Sequence, residues 1–209
     1  MTTKPTVLPE ALLDQPARDA LFAGAHTTYR FTEEPVDLEQ VRRAYDDARW
    51  APTAFNSQPL RMVALTTDEA KARIVPFMAD VNAERTGLAP LVLVLAYDQQ
   101  WHRNAPTLMP TLLAMQEVFE TDHVWRESIG QGSGLLQAGY LTLALRAHGL
   151  QVGPMTGFDV DGVRAEFLAG RGWEPLIVMN VGHAAHPEAE DAVLPRAGRL
   201  EFSEVTEIL

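Results

Sequence analysis

The chain has 209 residues, with 28 Asp+Glu against 17 Lys+Arg for a formal net charge of −11, and no cysteine. That length suits one compact domain able to bury a sizeable core, and 46% hydrophobic against 22% charged residues excludes a disordered or fibrous chain. The acidic balance argues against nucleic-acid or anionic-membrane partners, and the missing thiols exclude disulfide scaffolds, thiolate zinc sites, iron–sulfur clusters and cysteine nucleophiles.

The N-terminus lacks the basic-then-apolar run of a secretory signal, and no apolar stretch approaches the roughly 20 residues of a membrane-spanning helix. A cytoplasmic protein is expected. From Pro9 to Ala23, apolar residues at Leu12, Leu13, Ala17, Ala20 and Leu21 follow a helical spacing that Gly24 ends. Asp37 reads as an N-cap, with Gln40 three residues on completing an approximate capping box. Behind it Leu38, Val41, Ala44, Tyr45 and Ala48 form the apolar face of a second helix that stops near Trp50. Arg61 to Thr66 reads as a strand. Thr67 to about Arg85 is polar and helical, with Pro76 expected to kink or split it. Leu91 to Ala96 is apolar on both faces, which predicts a central strand covered on both sides.

The pattern weakens from Asp98 to Arg126, where Trp101, Pro106, Pro110 and Trp125 surround a helical stretch at Leu112 to Phe119. Gln131 to His148 is the strongest helix and is apolar nearly all round, so burial from every side is expected, in a core or at a subunit interface. Gly149 closes it. A short extended piece follows, then a helix from Val160 to Leu168 and an apolar strand from Leu176 to Gly182. With no repeat and no linker, residues 1–209 read as a single domain. Helices outweigh few, apolar strands, which gives an α+β sandwich around one central sheet.

Several chemistries find no support. Gly130, Gly132 and Gly134 suggest a dinucleotide loop, yet no strand precedes them, so close helix packing is the better reading. None of the six histidines shows metal-ligand spacing, and His183 and His186, at i, i+3 past a strand end, read as solvated loop residues. No metal is expected. The adjacent carboxylates Glu33-Glu34 and Asp46-Asp47 read as loop and helix surface. Ser57 and Ser133 lack a nucleophile elbow.

Two loops hold more. Trp50-Ala51-Pro52-Thr53-Ala54-Phe55-Asn56-Ser57-Gln58-Pro59 joins a helix to a strand; its prolines favour an extended, non-helical path, and Thr53, Asn56, Ser57 and Gln58 could read a heterocycle edge or a polyol. In Gly153-Pro154-Met155-Thr156-Gly157-Phe158 the glycines permit close approach to a planar ligand, and an exposed N–H could face a ring nitrogen. Taken singly, either loop reads better as turn punctuation than as a binding loop.

Together these loops resemble the nitroreductase family of flavin enzymes. The likeness runs through Pro52 to Pro59, Gly149-Leu150 to Asp159, the strand ending Val181-Gly182-His183 and the Leu194-Pro195-Arg196-Ala197-Gly198-Arg199 tail, in the family's order. Within the family, Gly153 to Asp159, Trp50 to Thr53 and Leu194 to Arg196 look most like the branch of malonic semialdehyde reductases and haloacid-associated reductases. The resemblance implies a nitroreductase-like sandwich, a central mixed sheet flanked by helices, and a homodimer whose long central helices pack together.

It also implies FMN in a groove between subunits and NADH or NADPH as donor. Gly157 would offer its backbone N–H to flavin N5 as the catalytic contact. Pro154, Met155 and Thr156 would line the ring, while Pro52, Thr53, Ala54 and Asn56 would touch ring or ribityl chain from either subunit, and Arg196 and Arg199 would hold the phosphate. The family's N-terminal Arg-x-Ser-x-Arg/Lys is replaced: Thr27 stands in for Ser, Ala25 and Tyr29 replace the two bases, and His26 and Arg30 are either compensating cations or surface residues. Thr156 replaces the acid common before the N5 glycine. The implied activity is ping-pong hydride transfer to a small carbonyl acid such as malonic semialdehyde (3-oxopropanoate), giving 3-hydroxypropanoate. The alternatives are a promiscuous nitro/quinone reductase and an FMN-binding protein without turnover. The stretch 98–126 is expected to cap the pocket.

Overall fold

The computed structural model describes residues 13–185 and 194–209; the start of the expected first helix, His186 and the acidic run Glu188, Glu190, Asp191 lie outside them. Helix α1 (Gln15–Leu21) is capped by Asp14, whose side chain accepts from the Ala17 N–H. Helix α2 (Leu38–Ala48) starts where expected, Asp37 accepting from the Glu39 N–H, and buries Val41, Ala44 and Ala48. The capping box does not form. Gln40 Nε2 instead donates to the carbonyl of His148 and ties α2 to the end of the longest helix.

Strand β1 (Leu60–Leu65) begins one residue before its expected start. Pro76 splits the next helical stretch as predicted: α3 (Asp68–Ile74) ends in a 3-10 turn at Val75–Phe77, and α4 (Asp80–Gly87) follows after Ala79. Strand β2 (Leu91–Asp98) is buried on both faces from Leu91 to Tyr97. The weakly patterned region resolves into two 3-10 turns and the short helices α5 (Ala105–Leu108) and α6 (Ala114–Thr121). The long helix α7 runs His123–Ala147, eight residues further toward the N-terminus than its apolar pattern indicated. It leads to β3 (Gln151–Met155), α8 (Val160–Phe167), β4 (Trp173–Gly182) and, near the C-terminus, α9 (Phe202–Val205).

The sheet order is β1-β2-β4-β3, and every pairing among the described residues is antiparallel. This corrects the expected mixed sheet. The connections through α3–α4 and through α8 each return the chain against its previous direction, so no parallel crossover arises. Two layers cover the sheet. Leu91, Leu93 and Leu95 face α2 and α7 through Ala44, Leu141 and Leu145, while Val92, Val94 and Ala96 face Ile74, Val163 and Phe167. A third cluster beneath α5 and α6 gathers Trp101, Met109 and Phe119 with Phe55.

Within the protomer, helix α7 is buried on one face only. Small residues set its inner face against the sheet: a Cβ on Gly130 would lie 2.7 Å from the Tyr97 ring, and one on Gly134 would lie 2.8 Å from Leu176. Such close packing is the role expected of these glycines in place of a dinucleotide loop; Gly132 departs from it, since a Cβ there would meet nothing within 4 Å. The outer face leaves Leu135, Leu136 and Tyr140 at least 40% exposed. Its C-terminus is a Schellman turn, with Gly149 at φ +80°, the Gly149 N–H on the Arg146 carbonyl and the Leu150 N–H on the Leu145 carbonyl. The turn delivers the chain directly into β3. Among the described residues no helix is long and apolar enough to cross a membrane.

Candidate active site

The exit of β3 builds the first part of the site. Residues 27–29 run alongside it, the Thr28 N–H donating to the Val152 carbonyl at 3.0 Å. Gly153 makes this approach possible, since a Cβ there would lie 2.6 Å from the Thr28 carbonyl oxygen. Beyond β3, Gly157 is exposed and its carbonyl is held at the start of α4, by the Ala79 N–H at 3.0 Å and Asn82 Nδ2 at 3.4 Å. Its own N–H makes no hydrogen bond among the described residues. The fold thus holds the peptide that follows Gly157 and leaves the N–H of the preceding peptide unpaired.

A cleft of about 350 Å³ lies before it, lined by residues 27–29, Gly153 to Gly157, Asn82, Arg85 and Asn180. Asn82 and Arg85 stand one turn apart on α4, and the Arg85 guanidinium sits 3.9 Å over the Tyr29 ring. Asn180, on β4, is 2% exposed and its Oδ1 has no hydrogen-bond partner.

Thr27 and Tyr29 also line a second, larger cleft of about 780 Å³, so the two clefts share this segment as a wall. Its wall carries Arg146, Arg196, Arg199 and His26, and no carboxylate among the described residues. In a chain of net charge −11 this is a local reversal of sign. Arg196 Nη2 is anchored to the carbonyls of Ala23 (2.6 Å) and Ala25 (2.9 Å) and lies 3.0 Å from His26 Nε2. Arg199 donates to the carbonyls of Ala197 and Gly198.

The structure therefore brings together His26, Thr27, Pro154, Met155, Thr156, Gly157, Arg196 and Arg199. It does not bring Arg30 with them: that side chain pairs with Glu84 at 3.2 Å and lines neither cleft. Pro52, Thr53 and Asn56 line a separate cleft of about 360 Å³ with Trp50 and Gln58. Ala54 donates its N–H to Ser133 Oγ at 3.3 Å. This loop is not extended. Phe55, Asn56 and Gln58 all have positive φ around a 3-10 turn, with the Asn56 N–H on the Thr53 carbonyl and the Gln58 N–H on Thr53 Oγ1. The Phe55 ring turned inward packs 5.2 Å from Phe119 and 5.8 Å from Trp125, and that contact offsets the strained backbone.

Sequence reasoning missed Asn82, Arg85, Arg146 and Asn180. Arg146 left a trace, as the sole Arg or Lys between Gln131 and His148. Asn180 was hidden in an apolar strand. Among the described residues no group of His, Asp and Glu could hold a metal ion.

The fold and these neighbouring clefts define an α+β protein that presents an exposed, unpaired Gly157 N–H at one cleft and a cation cluster in the other. The nitroreductase family model matches residues 23–183, and the chain belongs to that family. A Streptomyces coelicolor protein provisionally named NADH dehydrogenase/NAD(P)H nitroreductase is 44% identical over 85% of this chain and 87% of its own. A Leptothrix cholodnii protein of the same provisional name is 40% identical over 94% and 98%. Among solved structures, a nitroreductase family protein from Streptococcus pneumoniae superposes with a TM-score of 0.78 at 23% identity, covering 90% of this chain and 98% of its own. A nitroreductase-like protein from Exiguobacterium sibiricum, solved with FMN, has a TM-score of 0.78 at 19% identity over 96% and 99%.

Proposed function

We propose that the chain is an FMN-dependent NAD(P)H oxidoreductase that works as a homodimer. The observation that carries this is the pair of clefts that share residues 27–29 as a wall, with Arg146, Arg196, Arg199 and His26 in one and the open Gly157 N–H at the other. These residues fit FMN. The cation cluster suits a phosphate dianion, Thr27 and the unpartnered Asn180 suit a polyol, and the exposed Pro154–Gly157 edge suits a flat ring. Bound FMN would supply a two-electron carrier between a nicotinamide donor and an oxidised substrate.

The chain's own residues hold and orient. Asn82 holds the Gly157 carbonyl, which anchors the residue whose free N–H would face the flavin N5 edge. Arg85, steadied on Tyr29, places a positive charge in the ring cleft, where the family's N-terminal base is missing. A cation there favours negative charge developing on the ring. Among the described residues no His, Asp or Glu lines the ring cleft, which leaves water or the Tyr29 hydroxyl to supply the substrate proton.

The loop with Pro52, Thr53 and Asn56 lies in its own cleft, and the apolar face of α7 (Leu135, Leu136, Tyr140) is exposed in the protomer. Both features support a second copy that packs on α7 and carries its loop to the groove. Residues 1–209 read as one domain, in which 98–126 braces that loop: Asn56 Nδ2 donates to the Leu108 carbonyl at 2.7 Å. A small carbonyl acid such as malonic semialdehyde is the substrate the sequence cues favour, whereas the relatives' names favour nitro compounds. The experiment is reconstitution with FMN followed by NADH or NADPH oxidation, with 3-oxopropanoate, nitrofurazone and menadione compared at steady state. A protein that binds no FMN overturns the proposal. One that binds FMN but oxidises neither nicotinamide is a flavin-binding protein instead.

A further inference from the structure

Helix α7 is apolar along most of its length, yet its last turn carries Arg146, whose side chain reaches past α1 into the cation-lined cleft. We infer that Arg146 is a phosphate-binding residue of this chain, taking the place of the base that Ala25 has removed from the N-terminal segment. The inference rests on the FMN reading above and names a residue that the family resemblance did not supply.

Four observations support it. Arg146 and Ala25 line the same cleft, so the lost cation and the present one face one space. Ala25 is 9% exposed and its carbonyl is already taken by Arg196, so the N-terminal segment contributes no charge of its own at that point. Arg146 is held on both sides: Nη1 donates to the Leu21 carbonyl at 3.0 Å, and its own backbone carbonyl closes the Schellman turn. The guanidinium therefore stands preorganised, without the ordering cost of a free arginine. Finally, its charge is uncompensated. Nε is buried with no hydrogen-bond partner, and no carboxylate pairs with it among the described residues. Burial pulls its pKa down from the ordinary arginine value. A desolvated guanidinium left in this state is relieved by a nearby anion, and a phosphate dianion in the cleft supplies that charge.

A purely structural role, pinning α1 to α7 through Leu21, would use the same hydrogen bond. The two roles part on which ligand is affected. FMN and riboflavin share the ring and ribityl chain and differ only in the phosphate. The apoprotein, the variants Arg146→Gln and Arg146→Lys, and both flavins are titrated by quenching of flavin fluorescence, with thermal unfolding of each apoprotein alongside. Loss of a charge-assisted contact at a half-buried site should weaken FMN binding by about tenfold or more. Riboflavin affinity should stay within about twofold, so the preference for FMN collapses in the Gln variant, and Lys should restore most of it. Inorganic phosphate should raise the Tm of the wild-type apoprotein and not that of R146Q.

An unchanged FMN-to-riboflavin ratio in R146Q overturns the assignment while leaving the FMN reading intact. So does an equal loss of both flavins, which would mark a structural pin. A wild type that binds neither flavin overturns the cofactor reading and this assignment with it.

Discussion

Replacing Gly153 with alanine should damage the site from within the sheet. The added methyl carbon would lie 2.6 Å from the Thr28 carbonyl oxygen, where contacts under 3.0 Å are essentially never found, so the two backbones must part by at least about 0.4 Å. Neither can yield cheaply. Gly153 is paired with Asn180 in the β3–β4 ladder, and Thr28 is 4% exposed and tethered to Val152. Overpacking of this kind costs about 1–3 kcal/mol, and stretching the 3.0 Å Thr28–Val152 hydrogen bond adds about 1 kcal/mol. For a domain of this size the sum corresponds to a fall in Tm of roughly 4–16 °C. Because Thr27 and Tyr29, on either side of Thr28, line both clefts, FMN retention should fall as well. Thermal unfolding by circular dichroism and a flavin titration measure the two effects. A G153A protein with wild-type Tm and wild-type FMN affinity would refute the reasoning, since the strand and the cleft wall would then not be in the contact described.

Other outcomes follow from separate parts of the molecule. If α7 forms the proposed dimer seam, Leu136→Asp, at a position 45% exposed on that helix, should give a monomer by light scattering and weaken FMN binding, with the protomer still folded. Tyr29→Ala removes the platform under Arg85 and should weaken FMN binding about two- to fivefold at low salt, read by fluorescence titration. Glu120 has its pKa lowered to about 2, first by the hydrogen bond with buried His102 and then by Arg103. A carboxyl depressed in the folded state stabilises above its ordinary value of 4.5, and that contribution is lost as pH falls from 4.5 toward 2. Glu120→Gln should therefore flatten the acid limb of the stability profile between those values, measured by urea unfolding at stepped pH.

Much of this was legible in the primary structure where one local force dominated. Asp37 capped α2, Pro76 split a helix, Gly149 closed α7, and the run Leu91–Ala96 became a strand buried on both faces. What escaped depended on partners distant in the chain. Gln40 left its capping role for the His148 carbonyl, 108 residues away, a contact no local rule contains. The extent of α7 was underestimated because His123 to Gly130 carries mixed polarity, although Asp122 caps it by accepting from the Trp125 N–H. The loop at 52–58 looked extended from its prolines, but burial of Phe55 among Phe119 and Trp125 favoured positive φ. The site divided in the same way. Gly157, Arg196 and Arg199 stood out within motifs, whereas Asn82, Arg85, Arg146 and Asn180 came from three other elements that only the fold brings to these neighbouring clefts. Arg30, two residues past Thr28 in sequence, instead faces Glu84.

The account rests on a cation-lined cleft beside an open amide, and one reconstitution experiment tests it most directly. Purified protein is stripped of ligand, mixed with FMN, separated from free flavin and scanned for flavin absorbance, then given NADH or NADPH under anaerobic conditions. The account predicts retained FMN at one per protomer and bleaching of its absorbance when the nicotinamide is added. A protein that stays colourless after FMN treatment, or retains FMN that neither nicotinamide bleaches, would contradict it.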